Sequence, residues 1–311
     1  MAKSDGNLPT VSLITVARNL IDEGRAEAIR AALYSAQEQA DAILEHVIWD
    51  GASTDGTVEL LQNLIAEIEA RPNSVPIRFE SLPDKSLYDA MNRAVAISKG
   101  DYVVFLNSDD LLASPDCLQR ARREIGSERP EFCFGRTIFV DPDGSRRLSR
   151  ERKVHSMLQR IPFCHNSMLI RRDTFERFGG HDLELKIVAD YDLVLRMLFA
   201  GCEYQSLSVP IAVFHPGGIS ADQMKTAIEM TKSWRKNYAP FFGGRSYSDT
   251  EMLNWFRIGQ LPLGFCLNLL RQSGGMPQLR MAALHSLKVT LRRQLQPWRK
   301  WDYIKNAETP I

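Results

Sequence analysis

Four short apolar runs in the first third of the chain, residues 11–17, 46–49, 77–81 and 102–106, are separated by three stretches whose apolar residues recur at helical spacing. Apolar side chains three and four apart share one face of a helix, whereas a short unbroken apolar run suits a strand covered on both sides. The first helical stretch, residues 23–39, places Ile29, Leu33 and Ala36 together. The second follows Asp55-Gly56-Thr57 and carries Val58, Leu61, Ile65 and Ile68. The third carries Leu87, Met91 and Val95, and Gly100 stands where a left-handed residue would stop it. This alternation predicts an α/β fold built on a Rossmann-like, doubly wound sheet.

After Asp110 the order loosens. Residues 132–140 and 147–149 flank Asp141-Pro142-Asp143-Gly144, a turn sequence that suits an antiparallel pair and makes the expected sheet mixed. A helix is expected over about residues 190–200, ended by Gly201, and a late strand over 205–215. No Asp or Glu occurs between Glu251 and Asp302, and this change of character puts a boundary near Gly243-Gly244. The expected organisation is a large α/β domain over residues 1–243 and a basic, mainly helical extension over 244–311.

Composition removes several classes of function. Among 311 residues, 39 Lys and Arg nearly cancel 38 Asp and Glu, so no global field gathers nucleic acid. The five cysteines are scattered without a Cys-x-x-Cys pair, which argues against a zinc site or disulfide framework and for a reduced, cytosolic compartment. Residues 1–9 are polar, and no stretch reaches the length of a membrane-spanning helix, so the expected localisation is cytoplasmic.

In open α/β sheets, ligands bind beyond the carboxyl ends of the strands. Asp50 ends the second expected strand, Asp84 follows the third, and Asn107-Ser108-Asp109-Asp110 follows the fourth. Carboxylates gathered in one cleft repel each other unless a cation or a sugar hydroxyl engages them. Mg²⁺ or Mn²⁺ takes oxygen ligands, often from one or two protein carboxylates, and Asp109 and Asp110 suit that role. The same pair also suits a solvated turn or the cap of a helix starting near Pro115, and spacing by itself leaves both readings open.

Residues 47–57 (VIWDGASTDGT), 83–92 (PDKSLYDAMN) and 100–110 (GDYVVFLNSDD), in that order, resemble the family-two glycosyltransferases. Within them the chain is most similar to the branch that builds O-antigen, colanic acid and related exopolysaccharides, over about residues 11–215. The resemblance implies a GT-A fold with a nucleotide-sugar half over about 9–115 and an acceptor and catalytic half over about 116–243. It also implies an inverting transfer, dependent on Mg²⁺ or Mn²⁺, from a nucleoside-diphosphate sugar to a hydroxyl of a saccharide or lipid-linked saccharide.

Carried over residue by residue, Thr15, Ala17 and Asn19 match the segment lining the nucleobase pocket, and Asp50 matches the acid after the second strand. Asp84, Lys85 and Asn92 match positions near the nucleotide. Asn107, Ser108, Asp109 and Asp110 match the DXD region, with the cation assigned jointly to Asp109 and Asp110 and a ribose hydrogen bond left to Asn107. Three positions depart from the family: Arg18 replaces a usual Tyr, Gly51 a second Asp, and Asn107 the first acid of DXD.

Asp190, within residues 187–196 (IVADYDLVLR), matches the family's catalytic base at a helix start. A helix N-cap role is compatible with that assignment, while Asp192 reads as a first-turn acid favoured by the helix dipole. His215, ending the late strand, is placed to reach the diphosphate or the metal, and His165 and Asn166 to line an acceptor pocket; for all three a structural role stays open. A sugar-phosphate nucleotidyltransferase shares a related sheet but opens with a Gly-rich loop that residues 16–19 lack. Gly51 and Asn107 leave room for a non-catalytic sugar-nucleotide-binding module of a polysaccharide assembly complex.

Between Met252 and Trp301 lie Arg257, Arg271, Arg280, Lys288, Arg292, Arg293, Arg299 and Lys300, with Leu284, Leu287, Leu291 and Leu295 at helical spacing. Such a helix either lies on an anionic membrane as a peripheral contact or packs its leucines inward. Residues 296–301 (QPWRKW) only approximate the Gln-x-x-Arg-Trp signature of processive synthases, which points to addition of a single sugar.

Overall fold

The computed structural model describes residues 8–39, 42–149, 154–215 and 222–295. Its first hundred residues run β1 (Val11–Ala17), α1 (Ala26–Gln37), β2 (Ile43–Asp50), α2 (Thr57–Glu69), β3 (Ile77–Ser81), α3 (Leu87–Ile97) and β4 (Tyr102–Phe105). β2 starts three residues before the apolar run at 46. α1 is shorter than its periodicity at both ends.

β1 lies between β2 and β4, parallel to both, and β3 runs parallel on the far side of β2. Every residue of β1 and β4 is buried, as an apolar run covered on both faces requires. Gly100 does not stop α3: the helix ends at Ser98 in extended backbone, and Gly100 has no positive φ. Glycine is needed there for close approach, because a Cβ would overlap the Ser12 backbone nitrogen.

The chain continues through β5 (Leu111–Leu112), α4 (Cys117–Ile125), β6 (Phe132–Val140), β7 (Arg146–Leu148), β8 (Met168–Arg171), α5 (Arg172–Arg177), α6 (Ala189–Phe199) and β9 (Tyr204–Phe214). The described strands make one mixed nine-stranded sheet in the order β3-β2-β1-β4-β8-β6-β9-β5, with β7 paired to β6. The turn expected at Asp141-Pro142-Asp143-Gly144 does join an antiparallel pair, with Ile138 opposite Leu148.

Two compact units divide the chain. The first takes Met1–Glu151, Phe163–Leu183 and Tyr204–Pro216, and so holds the sheet; the second takes Arg152–Pro162, Glu184–Glu203 and Gly217–Ile311. In the second unit, α6 is joined by α7 (Gln223–Tyr238), α8 (Asp249–Ile258), α9 (Leu263–Gln272) and α10 (Pro277–Gln294). Its interior is aromatic: Tyr238 stacks on Trp234 and on Phe265, with ring centroids 5.6 and 4.8 Å apart. The buried polar tips are satisfied, since Trp234 Nε1 donates to the Tyr191 hydroxyl and Tyr191 and Tyr238 donate to the Met157 and Leu158 carbonyls. Gly243 and Gly244 fall inside this unit, both at positive φ, ahead of α8. Residues 296–301, with Arg299 and Lys300, lie outside the described residues.

One core residue makes the fold sensitive to acid. His46 is fully buried on β2, its Nε2 2.9 Å from the Thr15 hydroxyl and its Nδ1 without a hydrogen-bond partner, and burial pushes its pKa down to about 3. Below the unfolded value of ~6.5 the unfolded chain binds the proton that the folded chain refuses, so this stabilisation is present above that pH and is lost as pH falls toward the folded value. Urea unfolding is expected to show about 2 kcal/mol less stability at pH ~5 than at pH ~8 from this group, and His46→Gln to flatten that difference. An unchanged pH slope in the variant would assign the acid sensitivity elsewhere.

Candidate active site

The loops leaving β1 and β2 are tied together by short polar side chains. Asn19 N–H donates to Ser53 Oγ, Thr54 N–H to Asn19 Oδ1, and Leu20 N–H to Thr57 Oγ1. The Ile21 and Asp22 amides both donate to Asp55 Oδ2 at 2.9 Å. Against desolvation, the Asp22 amide and the Thr57 amide and hydroxyl hold the Asp55 carboxyl down at about 2. Asn19 and Ala52 turn these loops at positive φ, where Asn is tolerated and Ala is strained.

Asp50 is completely buried and accepts from Ser53 N–H, Ser53 Oγ and Ser81 Oγ at 2.9, 2.5 and 2.8 Å. It is a pin between the loops after β2 and β3, which removes its carboxylate from direct contact with a nucleotide. Thr15 is likewise buried, with its hydroxyl spent on His46, so any contact from this part of β1 is through backbone. Ala17 gives its carbonyl to Gly51 N–H. Beside it Asp84, with only 4% of its side chain exposed, lies 3.8 Å from Nη1 of Arg18, whose side chain is 60% exposed. Burial raises the Asp84 pKa and Arg18 opposes it. A Cβ at Gly51 would overlap Asp84 Oδ2, so the departures at residues 18 and 51 go together: glycine makes room for the acid that arginine pairs.

Asn92 has a different task from the one expected. Both ends of its amide are taken by the His181 backbone, at 2.9 and 2.8 Å, which pins the turn after α5. Lys85 is exposed, and its amide donates to Asp89 Oδ2 on α3.

After β4 the Asn107–Asp110 loop separates two adjacent acids by environment. Asp110 is 1% exposed; its Oδ2 accepts from the amides of Asn107 and Asn166, and its Oδ1 from His215 N–H at 2.9 Å. Burial pushes its carboxyl up to about 7 against those hydrogen bonds. Asp109 keeps 28% of its side chain exposed and lies 3.5 Å from Nη1 of Arg25. Ser108 is buried. His165 Nε2 is 3.2 Å from Asn107 Oδ1, so the Asn107 amide is engaged at both ends. Asn166 is fully buried against Asp110, which takes it out of any acceptor pocket. The His215 ring is 39% exposed, with Nδ1 4.0 Å from Asp110 Oδ1.

Among the described residues no three His, Cys, Asp or Glu side chains cluster as a metal cage. One open carboxylate already opposite a cationic side chain, as Asp109 is, still fits Mg²⁺ or Mn²⁺, which leave most of their shell to phosphate and water.

In the second unit, Asp190 stands in the first turn of α6, partly exposed, with Oδ1 accepting from Tyr191 N–H. It is not the cap. Val188 precedes the helix, and Glu229 from α7 receives the amides of Lys186, Ile187 and Val188, a device that no local pattern around Asp190 reveals. Asp192, fully buried, accepts from Arg196 Nε, Ser233 Oγ and Asn237 Nδ2 at 2.8 Å each.

The family model described as "Glycosyl transferase family 2" matches residues 12–180. The chain belongs to this family. It is similar to an uncharacterized glycosyltransferase of Mycobacterium tuberculosis, 26% identical over 249 residues that cover 77% of this chain and 88% of the relative. Among solved structures, S. aureus TarS 1-349 in complex with UDP-GlcNAc superposes with a TM-score of 0.58 at 13% identity, covering 95% of this chain and 93% of that one. The mannosyltransferase PcManGT from Pyrobaculum calidifontis, in complex with GDP-Man and Mn²⁺, superposes with a TM-score of 0.56 at 18% identity, covering 94% and 84%. The family-two chain thus has the GT-A fold, a mixed sheet followed by a helical C-terminal part, and is a glycosyltransferase.

Proposed function

We propose that this enzyme transfers a sugar, with inversion, from a nucleoside-diphosphate sugar to a hydroxyl of a lipid-linked saccharide in cell-surface polysaccharide biosynthesis. It works with Mg²⁺ or Mn²⁺ as a peripheral protein on the cytoplasmic side of the membrane. The observation that carries the reading is the contrast on the loop after β4, where Asp110 is buried with both oxygens engaged and Asp109 is open. The donors bound by TarS and by the mannosyltransferase, and the Mn²⁺ of the latter, support a nucleotide sugar and a cation here.

Asp109 would hold the cation, with His215, whose Nδ1 is 4.0 Å from Asp110 Oδ1, as a second ligand; Asp110, Asn107 and Asn166 hold that loop. Arg18, Asp84 and Lys85 are the polar groups after β1 and β3 suited to the base and the diphosphate, on a platform fixed by Asp50, Asn19 and Asn92. Asp190 takes the proton of the acceptor hydroxyl while its oxygen bonds to the anomeric carbon and the bond to the diphosphate breaks on the opposite side. A cation held there would supply positive charge to offset what builds on the leaving diphosphate.

Thermal melting with UDP or GDP tests the reading. A nucleotide present at ~100 times its Kd stabilises the folded state by about 2.7 kcal/mol, and that shift is expected to require Mn²⁺ or Mg²⁺ and to vanish in Asp109→Asn. Asp109→Asn protein that retains the full metal-dependent shift would remove the cation assignment.

A further inference from the structure

We propose that the outward face of α10 docks on an anionic lipid bilayer. The helix is packed the opposite way round from a water-facing one. Toward the protein it presents mostly small residues, Ala282, Ala283, Ser286 and Thr290, together with Leu279 and Arg293. Such a face lets neighbouring backbone approach closely, and the Thr290 hydroxyl donates to the Leu261 carbonyl across it. The large apolar residues face out: Met281, Leu284, Leu291 and Leu295 are 43, 48, 43 and 76% exposed. At ~100° per residue these four fall within an arc of roughly 80°. Exposed Arg280, Lys288 and Arg292 lie within or flank the same arc.

Charge selects the occupant. From Met252 to Trp301 the sequence has no acid, and Arg280, Lys288 and Arg292 stand on or beside the face, so it fits a negatively charged partner. A second copy would set Arg280, Lys288 and Arg292 against their own counterparts. Leucines flanked by basic side chains on one convex helix match a lipid interface, with apolar atoms at the acyl boundary and cations at the phosphates. No described helix is long and apolar enough to cross a membrane, so the contact lies in the plane of the surface.

Flotation of the full chain with vesicles tests this without reference to sugar transfer. Binding is expected to phosphatidylcholine vesicles containing phosphatidylglycerol, to be absent from phosphatidylcholine alone, and to fall with added salt. Each basic residue near the surface is worth about fivefold in partition, so Lys288→Gln with Arg292→Gln is expected to lower binding roughly 30-fold. Leu284→Ser with Leu291→Ser is expected to abolish it, with an unchanged melting temperature because both side chains are exposed. Equal binding to neutral vesicles, undiminished flotation of the serine variant, or a concentration-dependent dimer that the serine variant loses would each overturn the proposal.

Discussion

Asp190→Asn is expected to lower sugar transfer by about 10²–10⁴ while donor binding stays close to that of the unchanged protein. An amide has the shape of the carboxylate but cannot take the acceptor's proton. The local structure tolerates the change, because Asn Oδ1 can still accept from Tyr191 N–H and because Glu229, not Asp190, receives the amides of Lys186, Ile187 and Val188 that lead into α6. Single-turnover transfer measured beside calorimetric titration of the donor with metal separates the two quantities. A variant that transfers within tenfold of the unchanged rate would show that another group is the base.

Two residues along the same helix turn, Asp192→Ala is expected to act on stability instead. Its carboxylate is fully buried and receives Arg196, Ser233 and Asn237 together, so truncation strands three donors around a cavity. Removing one partner of such a buried pair costs about 3–5 kcal/mol. At roughly 2–4 °C per kcal/mol, the melting temperature falls by about 6–20 °C. Adding Arg196→Met is expected to recover part of the loss, since the unpaired cation goes with it. A fall below about 1 kcal/mol in equilibrium unfolding would mean that solvent reaches the site and that the cluster does not hold the unit together.

The parallel half of the sheet was readable in advance because its information is local. A buried strand shows as an apolar run and an amphipathic helix as a spacing of three and four, and both belong to residues adjacent in the chain. The turn at Asp141–Gly144 was equally plain, for the same reason. The interleaving of the two units was not, since Arg152–Pro162 and Glu184–Glu203 join the C-terminal helices without any change in composition. The leucine stripe of α10 was visible as a stripe, but periodicity is indifferent to which side faces the protein. The close fit of Ala282, Ala283, Ser286 and Thr290 decided that Leu284, Leu291 and Leu295 point outward and Leu287 lies half-buried.

At the site, the residue types were legible and their employment was not. Asn92, Asn107 and Asn166 carry amides suited to a ligand, and each is engaged within the protein. The coupling of Gly51, Asp84 and Arg18 joins three loops that sequence presents as three separate departures or matches.

By itself the sequence determined the alternation of strands and helices, the order of the motifs and therefore the family, because these depend on near neighbours and on residue identity. Only the tertiary structure decided which of two adjacent acids is open. Asp110 is covered by Asn166 and His215, 56 and 105 residues away, and Asp109 is not. A carboxylate's charge, exposure and availability follow from whatever the fold carries to its oxygens, and that distance is not written in the local pattern.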